Sequence, residues 1–168
     1  MDNNTENNLE FKDKIFLIIK ENKYKLLLLS ILLITSIIIV NFIKLNNEKK
    51  NALISEKYIQ AGLYLSKNDT EKSKILLEEV ILSKNNFYTI LALNVLVEKK
   101  LEKDKTKIMK YYEIAENLNI TEDKKNILLF KKALYLIKNS DAEGYDILKT
   151  LVNTDPTIKL LAEGILDK

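Results

Sequence analysis

Between Lys25 and Lys44 lie eighteen consecutive uncharged residues, LLLLSILLITSIIIVNFI, and only Ser30, Thr35, Ser36 and Asn41 among them are polar. A helix rises about 1.5 Å per residue, so the run covers about 27 Å, close to the roughly 30 Å hydrocarbon core of a bilayer. A core helix in a soluble protein of this length would keep one polar face, and this run has none. A cleaved secretory signal has an apolar stretch of roughly 7 to 15 residues followed by a small-residue cleavage site. This run is longer and no such site follows it. Residues 26–43 are therefore expected to form a transmembrane helix, with the flanking lysines reaching the headgroups.

The span divides the chain into a tail, residues 1–25, and a polar domain, residues 44–168. Residues 1–10 (MDNNTENNLE) carry almost no apolar content and are expected to be disordered. From Phe11 to Lys25, Ile15, Ile18 and Ile19 alternate with lysines in the pattern of an amphipathic helix lying along the membrane surface. Five lysines precede the span within fifteen residues and four follow it, so positive charge alone does not orient it. The layout of short tail, anchor and longer domain favours a cytoplasmic N-terminus and an external C-terminal domain.

Composition removes more functions than it suggests. With no cysteine and no histidine, thiolate chemistry, disulfides, Ser-His couples and most zinc sites are absent. The chain is accordingly expected to be non-enzymatic, with no cofactor and no metal. All 27 basic residues are lysines and they nearly balance 24 acids, giving a net charge of +3. No lysine stripe or reading motif marks a nucleic-acid surface, so no nucleic acid is expected. The carboxylate pairs Glu78 with Glu79, Glu98 with Glu102 and Glu113 with Glu116 are expected to be solvated helix faces, and the tyrosines at helical spacing to be core.

Beyond the span no stretch alternates with period two, and the single proline is Pro156, so helices are expected throughout. Polar clusters at 67–70, 84–86, 102–106, 119–123, 139–141 and 153–155 punctuate about seven of them. Thr121, and Asp155 with Pro156 behind it, look like helix N-caps, and Thr70 with Glu71 a weaker start. A period then emerges: SKILLEEVILSKN from Ser73, IMKYYEIAENLNI from Ile108 and GYDILKTLVNTDP from Gly144 are spaced by 35 and 36 residues. Leu77, Tyr112 and Leu148 share one column and Val80, Ala115 and Leu151 another. Upstream helices through Ala61, Leu93 and Ala133 supply the facing apolar stripe, giving hairpins that bury it only by stacking.

These units resemble the tetratricopeptide repeat family, a helix-turn-helix of about 34 residues. Ala61, Tyr64, Asn68, Asp69, Ser73, Leu77 and Val80 match that family's small, aromatic, turn, crossing and large apolar positions. Pro156 matches its closing proline. Ile108 at the crossing position, Lys99 in place of the aromatic and the lack of tryptophan depart from it, and a plain bundle of helical hairpins is the alternative. The expected fold is all-α: one transmembrane helix, then an α-solenoid of about three degenerate hairpins and a C-terminal capping helix.

Taken whole, the order of amphipathic segment, anchor, degenerate hairpins and final helix TIKLLAEGILDK resembles the YfgM-like ancillary Sec translocon subunit family of bacterial inner membranes. The resemblance implies a single-pass protein facing the periplasm, whose partners are translocon subunits, periplasmic chaperones or secreted clients. Stacked hairpins present a groove along their first helices. Glu56, Gln60, Asn94, Glu98, Lys131 and Lys138 are the expected partner-binding residues. The expected function is a membrane-anchored protein-binding scaffold in secretion or envelope biogenesis. The alternative is a tethered domain that self-assembles, as a homodimer, through an open end of the stack.

Overall fold

A computed structural model describes Phe16, Ile19, Lys20 and residues 22–167. The expected tail over residues 1–10 and most of the expected amphipathic helix over Phe11–Lys25 lie outside the described residues. The described residues form seven helices and no strand: α1 (Lys23–Ser66), α2 (Thr70–Leu82), α3 (Tyr88–Glu98), α4 (Lys105–Glu116), α5 (Glu122–Lys138), α6 (Glu143–Thr154) and α7 (Pro156–Leu166). Each break falls in or beside one of the polar clusters. The chain divides into two compact units, Met1–Lys49 and Lys50–Lys168, and the division lies within α1.

In the first unit, α1 is long and apolar enough to cross a membrane, and none of its apolar window is buried. Leucine and isoleucine point outward on every side, from Leu26 to Ile43. The few polar side chains turn back on their own helix: Ser30 Oγ donates to Leu27 O (2.8 Å), Thr35 Oγ1 to Leu32 O (2.9 Å) and Asn41 Nδ2 to Ile37 O (2.9 Å). These three side-chain donors are thus satisfied within the helix, as a hydrocarbon environment demands. No glycine or proline stands between Lys44 and Asn51, and the helix does not stop there.

The second unit is built from short connections that end in the same way. Asn68, Lys84, Lys100 and Ser140 lie in the left-handed region, with φ of 59°, 56°, 53° and 57°. Each stands two residues beyond the last residue of its helix. At three of these ends the next N–H reaches back five residues: Asp69 to Tyr64 O (2.9 Å), Leu101 to Leu96 O (3.0 Å) and Asp141 to Leu136 O (3.0 Å). This closes orphan carbonyls in the Schellman manner without the usual glycine. Helix starts are closed by aspartates. Asp69 accepts from Lys72 N, Asp104 from Thr106 N and Lys107 N, and Asp155 from Thr157 N and Ile158 N ahead of Pro156. Thr121 occupies the expected cap position but makes no side-chain cap bond, and Thr70 is the first helical residue rather than the cap.

Consecutive helices fold back on one another. Asn85 Nδ2 donates to Asn51 Oδ1 (2.7 Å) and Lys57 Nζ meets Glu79 Oε2 (2.6 Å). A six-residue advance along α1 is thus matched by a six-residue retreat from the α2–α3 connection back into α2, so the two run antiparallel. Two apolar clusters result. One gathers Ala61, Leu77, Val80, Leu93, Tyr112 and Leu128 among others from α1 to α5, and the other Ala133, Leu148, Leu151, Ile158 and Ala162 from α5 to α7. All six residues of the two repeating columns, Leu77, Tyr112, Leu148, Val80, Ala115 and Leu151, are buried. So are Ser73, Ile108 and Gly144, which begin the three copies. At Gly144 the approach is close: a Cβ there would stand 2.6 Å from Ala133 O and 2.7 Å from Ile137 Cγ1.

Candidate binding cleft

Helices α3, α4 and α5 leave a cleft of about 560 Å³ between them. From α3 come Asn94, Val97 and Glu98, and from α5 Lys131, Leu134, Tyr135 and Lys138. The residues on each helix recur at intervals of three, four or seven, and so stand on one face. Ile108 and Tyr112 of α4 close the floor, and Lys100, Glu102 and Lys103 of the α3–α4 connection line one end. Four of the six expected groove residues, Asn94, Glu98, Lys131 and Lys138, therefore converge on this cleft. Glu56 and Gln60 do not line it. They are exposed on α1, where Gln60 Nε2 donates to Glu56 Oε1 (3.1 Å).

The floor is aromatic and aliphatic. The Tyr112 and Tyr135 rings lie 6.1 Å apart at 41°. Tyr112 is buried, and burial pushes its phenol above the ordinary tyrosine range, with Tyr135, Glu98 and Glu116 adding in the same direction. Burial likewise raises Tyr135. Both hydroxyls are therefore neutral near pH 7 and able to donate. Leu134 is left 38% exposed in the cleft wall.

Charge at the open end is organised around a carboxylate that the sequence pattern placed wrongly. Glu102 was expected to share a solvated helix face with Glu98. Instead α3 ends at Glu98, the chain turns left-handed at Lys100, and Glu102 folds inward until it is 9% exposed. Its Oε1 accepts from Lys103 N (2.7 Å) and Asp104 N (2.9 Å), while Oε2 meets Lys74 Nζ (3.0 Å) and Lys107 Nζ (3.2 Å). The Asp104 N–H is the largest influence holding its carboxyl down to about 2, with Lys74, the Lys103 N–H and Lys107 assisting against burial. Lys107 also meets Glu78 Oε1 (2.6 Å), and that contact, followed by Glu102, raises it above the usual lysine range. Four charges from α2, the connection and α4 thus close on one another, a structural lock rather than an acid–base centre. The only outward signal was that the polar cluster beginning at Glu102 marks a connection.

Other carboxylates also join helices. Glu116 of α4 meets Lys132 of α5 at 2.8 Å, outside hydrogen-bond angles, so the contact is ionic. Asn126 of α5 donates to Asp155 Oδ2 (2.9 Å) at the start of α7, with both side chains buried. Among the described residues no group of three or more His, Cys, Asp or Glu is placed to hold a metal ion.

Comparison with family models, with curated proteins and with solved structures returned no match. The class is therefore defined by the molecule itself: among the described residues, an all-helical protein with one helix long and apolar enough to span a membrane. Its second unit consists of packed helical hairpins with a cleft between α3, α4 and α5.

Proposed function

We propose that this chain is a non-enzymatic scaffold, held in a bacterial inner membrane by residues 26–43, that binds protein segments in the α3–α5 cleft. The observation that carries the reading is the convergence of Asn94, Glu98, Lys131 and Lys138 on one apolar-floored cleft. Ligand sites of this kind are concave and apolar, with a few polar groups at their edge. The hairpins are read as degenerate tetratricopeptide-like units in a solenoid. Supporting that order, the first helices touch in sequence: Tyr58 of α1 packs on Tyr88 of α3 (5.7 Å), Lys131 of α5 faces Glu98 of α3 (3.8 Å), and Asn126 of α5 bonds the cap of α7. The N-terminus is cytoplasmic and the second unit periplasmic, at the Sec translocon. Translocon subunits, periplasmic chaperones or secreted clients are the partners.

Quantitative co-purification from membranes tests this. Leu134→Asp places a charge on the cleft wall and is expected to lower recovery of specific partners about tenfold, since it disturbs one desolvated anchor position. Unchanged recovery by a folded variant contradicts the reading.

Self-assembly is the second reading. It draws on α7, where Ile158 and Ala162 are buried while Leu160 and Leu161 stay 80% and 60% exposed. An apolar outer face of this kind on a helix of the stack offers a contact surface to a second copy. Light scattering of the solubilised full chain, with and without Leu160→Glu, distinguishes a dimer built on this face from a monomer.

A further inference from the structure

The cleft has a charge asymmetry that narrows its ligand, given the reading of it as a protein-binding site. Where a lysine joins one helix or connection to another in this unit, an acid answers it: Lys57 to Glu79 (2.6 Å), Lys74 to Glu102 (3.0 Å), Lys107 to Glu78 (2.6 Å) and Lys132 to Glu116 (2.8 Å). Around the cleft fewer lysines are answered in this way. Lys100, Lys103 and Lys138 are exposed, and none of them forms an ion pair among the described residues. Lys131 has only the 3.8 Å contact with Glu98, whose side chain is 68% exposed at the lip. The other acid of the lining, Glu102, is already satisfied by Lys74, Lys107 and two backbone N–H groups. Four lysines therefore line the cleft with one weakly engaged carboxylate beside them.

We propose that the α3–α5 cleft takes an acidic amphipathic peptide segment, with its apolar side chains on Val97, Leu134 and Tyr135 and its carboxylates toward Lys100, Lys103, Lys131 and Lys138. The apolar floor supplies affinity. The lysines supply selection and faster encounter, which is what charge complementarity contributes at half-exposed positions. Lys131 and Lys138 are seven residues apart, two turns along one face of α5, and so match carboxylates spaced along an extended or helical segment. A basic segment meets repulsion from the same four groups.

The test uses the full chain in lipid nanodiscs and three fluorescein-labelled twelve-residue peptides that share one leucine and phenylalanine pattern. Their remaining positions are all Glu, all Gln or all Lys. Fluorescence anisotropy is expected to show the Glu peptide binding at least about tenfold tighter than the Lys peptide, with the preference weakening as salt rises. The Lys131→Glu, Lys138→Glu double variant is expected to lose about tenfold for the Glu peptide and to gain for the Lys peptide. Lys103→Glu, on the connection, moves both in the same directions and serves if the double variant misfolds. Equal or reversed preference, with binding still removed by Leu134→Asp, overturns the acidic selection and leaves the cleft as a binding site. Binding of no peptide, or binding that ignores Leu134→Asp, overturns both.

Discussion

Two residues at one repeating position show how far side-chain identity is set by local packing. Ser73 and Gly144 both open a repeat copy within the second helix of a pair, and both are buried. Ser73 Oγ has no hydrogen-bond partner, so its hydroxyl was taken out of water without compensation. Ser73→Ala is expected to be neutral or to stabilise by about 1 kcal/mol in chemical denaturation. Gly144→Ala is expected to do the reverse, costing about 1–3 kcal/mol, because the new Cβ meets backbone at Ala133 O. Equal responses at the two positions would contradict this packing. Glu102 gives a second prediction at this scale. Its folded carboxyl titrates near 2 against an ordinary 4.5, so its contribution is complete above the ordinary value and disappears as pH falls toward 2. Glu102→Gln keeps an acceptor for the Lys103 and Asp104 N–H groups but loses the charge. The stability difference between wild type and this variant is expected to be constant from pH 7 to about 5 and to vanish near pH 2, as followed by urea unfolding. A difference that persists at pH 2 would place the effect elsewhere.

At the scale of elements, helix existence was written plainly in the sequence and helix termination less so. The polar clusters located the breaks because Asn, Asp, Ser and Lys interrupt apolar periodicity there. The chemistry of those breaks was harder to read. A helix that stops without glycine or proline gives little warning, and here four stop on Asn68, Lys84, Lys100 and Ser140 with positive φ. Asp69 and Asp104 cap through side-chain acceptors one residue before α2 and α4, whereas Thr121, expected as a cap with Glu122 and Asp123 behind it, makes no such bond. Glu102 was misplaced for the same reason: four residues after Glu98 is one helical turn only if the helix continues. The left-handed lysines also carry a strain that asparagine tolerates better. Lys84→Gly is expected to raise stability by about 0.5–1 kcal/mol and Asn68→Gly by less, measured as a shift in thermal midpoint. A larger gain at Asn68 than at Lys84 would argue against the backbone account.

For the whole molecule, the apolar run and the buried columns were both legible because each rests on periodicity over many residues. Leu26 to Ile43 has no polar face, and it lies in a helix with that window wholly unburied. The repeating columns Leu77, Tyr112, Leu148 and Val80, Ala115, Leu151 are all core. The cleft was legible in part. Asn94, Glu98, Lys131 and Lys138 were reachable from the first-helix pattern, since residues on one face of neighbouring helices meet. Lys100 and Lys103 were not, because a connection has no period from which to infer its direction; the core reading of Tyr112 holds, and Tyr135 packs on the same core while also lining the cleft. The central claim, that this cleft receives a partner while residues 26–43 hold the chain in the membrane, is tested most directly by in-cell photocrosslinking. A photoreactive residue at Asn94 or Lys131 is expected to capture periplasmic or translocon proteins, with Gln60, outside the cleft, capturing markedly less. Adducts of equal yield at all three positions, or adducts with cytoplasmic proteins alone, would contradict it.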